Sequence, residues 1–160
     1  MVLCGHDHKG WIDMKRFLAL LMCVLMMVMA VSCTDYQYIK KYRQRGYLSE
    51  YKKAAGFLIM EEAPTGGKPF TAVNLNTYES DIDMLMSSLE TVRKEFKLAW
   101  VGEKYVVFWN DETLTKGLLY TGDGKNSLER VETIYGDMDS IKINNKWYLI
   151  GHIYGKDGGE

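Results

Sequence analysis

The apolar stretch at residues 17–31 is the feature that most restricts how this 160-residue chain can fold. Lys15 and Arg16 precede it, Ser32 and Cys33 follow it, and no charged side chain interrupts it. A helix on the surface of a globular domain needs a polar face, which this stretch lacks. A membrane-spanning helix needs about 20 apolar residues, more than the stretch provides. We therefore expect a targeting leader, with the folded domain beginning after it.

The end of this leader resembles the lipobox of bacterial lipoproteins, in the residues Ala30, Val31, Ser32 and Cys33. In that family the cysteine sulfur receives a diacylglycerol, the chain is cut before the cysteine, and the new amino terminus is acylated. The resemblance implies a signal peptide at residues 14–32, cleavage between Ser32 and Cys33, and attachment of lipid such as palmitate to Cys33. It also implies a protein anchored in the bacterial cell envelope, facing the periplasm or the exterior. Thr34, standing where an aspartate would retain the protein in the inner membrane, favours the outer membrane.

Residues 1–13 do not fit a short basic leader, because they include acidic, histidine and tryptophan side chains. We interpret them as a mis-assigned start, with translation beginning at Met14. The alternative is a zinc cluster of Cys4, His6 and His8, since thiolate and imidazole are zinc ligands.

The 128 residues from Cys33 onward are enough for one domain with an ordinary core. Their net charge of about −2 argues against binding to nucleic acid. The region 35–53 is locally basic, and next to a lipid anchor it could contact anionic headgroups, although a solvated helix face explains it as well. Its cations are Lys40, Lys41, Arg43, Arg45, Lys52 and Lys53.

The pattern predicts an α+β domain, an amphipathic helix packed on an antiparallel meander of about five strands. We expect a tether at 33–46, a single domain at 47–155 and a frayed tail at 156–160. The predicted helices are 47–55, ended by Gly56, and 81–97, which carries one apolar face. The predicted strands are 57–60, 70–75, 98–101, 104–109, 117–121, 130–135, 140–143 and 146–154. This order is similar to that of cystatin-like and nuclear-transport-factor-like domains.

The residues after Cys33 include no complete catalytic constellation, metal cluster or cofactor motif, so we assign no catalytic or metal-binding residue. His152 is the single histidine there, and with Asp111 or Asp139 it could serve a small hydrolase or ligand pocket. A lone histidine in a strand is more often structural. The glycine-rich loop 121–126 lacks the full spacing of a phosphate or calcium loop.

Aromatic residues are concentrated after the leader, where all eleven tyrosines and three of the four tryptophans occur. The candidate binding surface consists of Trp100, Trp109, Trp147 and Tyr148. Aromatic side chains exposed on a sheet can bind a protein or a glycan. The leading hypothesis is therefore a non-catalytic envelope lipoprotein that binds a protein or cell-wall component. An immunity or inhibitor lipoprotein fits the size and the export signal equally well.

Overall fold

The computed structural model describes residues 17–23, 37, 39–44 and 46–152. The chain divides into two units, Met1–Gln37 and Tyr38–Glu160. In the first unit, residues 17–23 are helical and exposed. Cys33, the cleavage position and the tail 156–160 lie outside the described residues. No helix within the described ranges is both long and apolar enough to cross a bilayer.

The second unit is an α+β domain, as the sequence predicts. A helical turn at 39–43 precedes its regular elements. These are α1 (Ser49–Glu62), β1 (Thr71–Asn74), α2 (Asp83–Val92), β2 (Leu98–Val101), β3 (Tyr105–Trp109), β4 (Lys116–Thr121), α3 (Lys125–Tyr135), β5 (Asp139–Asn144) and β6 (Trp147–Gly151).

All neighbouring strands pair antiparallel, in the order β1-β2-β3-β4-β6-β5. The first four strands form a meander, and α3 then carries the chain to the far edge. There β5 and β6 form a hairpin whose second strand returns to pair with β4, so that Trp147 lies opposite Tyr120. The sheet has six strands, one more than expected.

The first face of the sheet is covered by α1 and α2. Helix α2 presents Leu85, Leu89 and Val92 at steps of four and three, which is the spacing of one helical face. These side chains are fully buried and belong to the same core cluster as Val106 and Phe108 of β3. This face holds the larger core.

The second face is covered by α3. Leu128 and Val131 pack on Val107, Leu119 and other inward-facing residues of β3, β4 and β6. Because successive strand residues point to opposite faces, β3 supplies both cores and is buried along its whole length.

Two predicted strands are wrong, because both segments are helical. Residues 57–60 continue α1, which passes through Gly56 and buries Leu58 four residues after Ala54. Residues 130–135 form the second half of α3, which ends at Gly136 with a φ of 84°. In both segments a short apolar run matches a strand and one helical turn equally well, and packing on the sheet decides.

The boundaries of two further elements also differ from those predicted. Helix α2 spans Asp83–Val92 and not 81–97. Within the predicted tether 33–46, residues 39–44 pack on the domain, and Tyr42 is only 2% exposed. This part of the chain therefore belongs to the folded unit.

Gly117 provides a stability test of the second face. A Cβ atom at this position would lie 2.7 Å from Cε3 of Trp109, which is fully buried. We expect Gly117→Ala to lower the free energy of unfolding by about 1–3 kcal/mol through overpacking, measured by urea denaturation. The control is Gly56→Ala in α1, where no atom lies within 4 Å and helix propensity favours alanine by about 1 kcal/mol. Equal losses in the two variants would contradict this packing.

Candidate functional site

One half of the second face is left open by α3. On β1 and β2 this face carries Ala72 and Asn74, which are exposed, and Leu98 and Trp100, which are partly exposed. This half-covered face thus carries a large aromatic side chain that solvent can partly reach. It is therefore the candidate binding surface.

A continuous series of rings crosses this face from the open edge toward α3. This aromatic row consists of Phe70, Trp100, Trp109, Tyr135 and His152. Phe70 stacks on Trp100 with centroids 4.3 Å apart, and Trp100 meets Trp109 edge-on at 5.2 Å. Tyr135 stacks on Trp109 at 5.2 Å, and the His152 ring lies 6.1 Å from Tyr135. Offset stacks and edge-to-face contacts are the favoured arrangements of aromatic pairs.

The loop between β3 and β4 fixes the far end of the row. The Tyr135 hydroxyl donates a hydrogen bond to the main-chain oxygen of Leu114 at 2.7 Å. The main-chain N–H of His152 donates to the oxygen of Thr115 at 2.9 Å. Leu114 has a φ of 57°, a conformation uncommon for a residue with a side chain. These contacts hold the last two rings in place.

Trp109 is the buried centre of the row. It is fully inaccessible, and its indole N–H has no hydrogen-bond partner among the described residues. Its contribution is therefore ring packing. It supports Trp100, which is the partly exposed ring next to it.

An open groove of about 410 Å³ adjoins the Phe70 end of the row. It combines the apolar side chains of Pro69 and Ile134 with the cations of Lys68 and Arg130 and the carboxylate of Glu103. Tyr105 lines it and donates from its hydroxyl to the oxygen of Pro69 at 2.9 Å. Burial raises the pKa of Tyr105, so this hydroxyl is a proton donor at neutral pH. Aromatic rings, two cations and one carboxylate thus lie side by side on one surface.

The four predicted surface residues are not brought together. Trp100 and Trp109 belong to the aromatic row, but Trp147 lies in the core of the opposite face and is 3% exposed. Tyr148 points to the same face as the row and is buried at 8% exposure. Strand alternation and coverage by helices remove three of the four from solvent, so only Trp100 remains a partly exposed surface residue.

Phe70 and Tyr135 belong to the site, although they are absent from the four residues that the sequence predicts for it. Phe70 precedes β1 by one residue, and Tyr135 was assigned to a strand, although it ends α3. The signal that could have found Tyr135 is the helical spacing of Leu128, Val131 and Ile134. With α3 recognised, the last turn of the helix falls beside the sheet.

The residues proposed for a hydrolase lie in three elements: His152 follows β6, Asp111 lies in the loop between β3 and β4, and Asp139 begins β5. His152 is exposed. Both carboxylate oxygens of Asp111 accept hydrogen bonds within its own loop, from Asn110 and Thr113. Asp139 lies opposite Gly151 in the β5–β6 register. Within the described part of the chain, no group of three histidine, cysteine, aspartate or glutamate side chains could hold a metal ion.

A second polar arrangement, the Glu95 cluster, joins residues 41–51 to the residues that follow α2. It consists of Glu95, Lys41, Tyr42, Tyr47 and Tyr51. Lys41 Nζ lies 2.7 Å from Glu95 Oε1, and the hydroxyls of all three tyrosines donate to the same carboxylate. Partial burial alone would raise the pKa of Glu95, but these donors outweigh it and hold the pKa below its ordinary value. Glu95 is therefore ionised at neutral pH.

The Glu95 carboxylate is the hydrogen-bond acceptor for two buried hydroxyl groups. Tyr42 and Tyr51 are almost fully buried, and burial together with the adjacent carboxylate raises the pKa of both hydroxyls. A carboxylate that accepts four donors from another segment is best suited to holding that segment in place. We regard this cluster as structural.

No protein-family model, curated protein or solved structure matches the chain. The likeness to cystatin-like and nuclear-transport-factor-like domains stays a prediction, drawn from an order of elements in which two of the strands are in fact helical. The assignment of function depends on the residues and their geometry.

Proposed function

We propose that this protein is a lipid-anchored lipoprotein of the bacterial cell envelope whose folded domain is a non-catalytic binding module. The observation that carries the binding role is the aromatic row on the open half of the sheet. The lipobox-like residues before Cys33 support the anchor. Together they describe a domain held at a membrane that presents an aromatic surface to a protein or cell-wall component.

A cell-wall fragment is the ligand that the chemistry of this surface favours. Ring faces pack against the C–H groups of sugars and against apolar side chains. Lys68 and Arg130, in the groove beside the row, can pair with the carboxylates that a peptide-bearing glycan carries. Trp100 is the contact residue, since it is partly exposed and is supported from below by Trp109.

Trp100→Ala tests this surface. The full chain, extracted in detergent, is titrated with soluble peptidoglycan fragments while heat of binding is recorded. We expect the substitution to weaken binding about tenfold or more, because loss of a central aromatic contact typically costs more than about 1 kcal/mol.

Met84→Ala is the matched control, because Met84 is an apolar side chain that is 60% exposed on α2, which covers the other face. This variant should bind like the unmodified chain. Saturable binding of the fragments that is equally strong in Trp100→Ala would contradict the proposed contact. If the fragments do not bind, while an envelope protein is captured and Trp100→Ala abolishes the capture, the ligand is a protein.

A further inference from the structure

A basic groove lies at the start of α1, on the part of the domain that follows the anchor directly in the chain. It is open, with a volume of about 390 Å³. Arg43 and Lys52 supply its two cations, and Ser49, Gln44 and Asn144 supply neutral polar groups. No carboxylate occurs among the described residues that line it. The groove therefore has the composition of a site for a negatively charged group.

A hydrogen bond to the domain holds Arg43, and helix α1 places Lys52. The Arg43 guanidinium donates to the main-chain oxygen of Lys142 at 3.3 Å, which uses one of its five N–H donors. Lys52 projects from α1, whose register is set by the buried side chains of Tyr51 and Ala55. Glu50, the acidic residue closest to Lys52 in the chain, accepts hydrogen bonds from Lys53 and Ser88. The positive charge of the groove is thus not cancelled by Glu50.

The short length of chain between Cys33 and the turn that carries Arg43 limits how far the groove can lie from the lipid anchor. Ile39, the first residue of the described helical turn that carries Arg43, lies six residues after Cys33. A fully extended chain spans at most about 3.3–3.6 Å per residue, so this connection reaches about 20 Å. With Cys33 acylated, the turn that carries Arg43 lies within that distance of the bilayer surface. The nearest abundant anions are then phospholipid headgroups.

We infer that the basic groove binds the phosphate of an anionic phospholipid headgroup and so holds the domain against the membrane that anchors it. Arginine suits this role because its planar guanidinium matches the oxygens of a phosphate. The inference rests on the proposed lipid anchor, which makes headgroup binding effectively intramolecular, so that a weak site is occupied. The domain would then have a fixed orientation at the surface.

Amine labelling of the acylated full chain tests this site. The protein is reconstituted into vesicles of phosphatidylcholine alone, or of an equal mixture of phosphatidylcholine and phosphatidylglycerol. Acetylation of Lys52 is followed by mass spectrometry, with the exposed Lys125 of α3 as the internal reference. We expect Lys52 to be acetylated about fivefold more slowly in the anionic vesicles, the protection that corresponds to about four-fifths occupancy.

Two matched variants separate the groove from general charge. Arg43→Gln should return the rate at Lys52 to its value in neutral vesicles. Lys104→Gln, which removes an exposed cation from the turn between β2 and β3, should leave the protection intact. Protection that survives Arg43→Gln, or equal rates in the two kinds of vesicle, would overturn the inference.

Two further outcomes identify which part has failed. If glycerol phosphate in detergent protects Lys52 as well as the anionic vesicles do, the groove binds a soluble phosphate and the membrane contact is wrong. If the mass of the Cys33 peptide shows no acyl groups, the anchor itself is wrong, and the headgroup site is rejected with it. Reconstituted, acylated protein with unprotected Lys52 rejects the groove alone.

Discussion

Glu95→Gln is expected to lower the free energy of unfolding by about 2–3 kcal/mol at neutral pH. Glutamine keeps one acceptor oxygen but loses the charge that Lys41 and three tyrosine hydroxyls share. Hydrogen bonds to a charged group contribute about 1.5–3 kcal/mol. The buried hydroxyls of Tyr42 and Tyr51 donate to different oxygens of Glu95, so one of them would lose its acceptor. Urea denaturation measures the change. Glu90→Gln, an exposed position on α2, is the control and should be close to neutral.

The same substitution predicts a pH dependence. The pKa of Glu95 is lowered in the folded chain, so its stabilising effect is present above the pKa of the unfolded state, about 4.5. It is lost as the pH falls through the lower, folded-state pKa. The unmodified chain should therefore lose more stability on acidification from pH 7 than Glu95→Gln does, and the two curves should converge in acid. Parallel curves would show that Glu95 does not set this part of the profile.

The strands were predictable where runs of β-forming residues are separated by turn residues. The hairpin of β2 and β3 follows from two runs of β-forming residues separated by a short segment that begins at Gly102. Gly102 is required there, because a Cβ atom would lie 2.2 Å from the ring of Tyr105. The apolar face of α2 was equally clear, since Leu85, Leu89 and Val92 repeat at helical spacing.

The two misassigned strands have a shared physical cause. Each consists of a few apolar residues at one end of a helix, too few to show a period of 3.6 residues. In α1, Gly56 favours an end to the helix locally, but the burial of Leu58 continues it. In α3, Val131 packs on the sheet and decides the conformation. The conformation of both segments depends on contacts with residues distant in the chain, which the local sequence does not reveal.

For the binding surface, the sequence predicts which residues share a face of the sheet but not which of them are exposed. Alternation shows that Trp100 and Trp109 share a face, but it does not show which part of that face a helix covers. That depends on α3, which was interpreted as a strand. The Glu95 cluster gave no local signal, because the three tyrosine donors lie 44 to 53 residues from the carboxylate in the chain.

Cys33→Ala is expected to abolish acylation and retention of the mature protein in the membrane. The thiolate is the attacking group in thioether formation, and alanine offers no substitute. Incorporation of labelled palmitate, followed by fractionation of the cells, measures both effects. Cys23→Ala is the matched control, because Cys23 lies inside the proposed leader and is removed with it, so this variant should incorporate palmitate normally.

Palmitate labelling is the decisive measurement of the two. A Cys33→Ala protein that still incorporates palmitate would contradict the lipobox interpretation. A protein without acyl groups is not anchored, so its basic groove is not held next to a membrane. In the same variant, Lys52 should therefore be acetylated at the same rate with and without anionic vesicles.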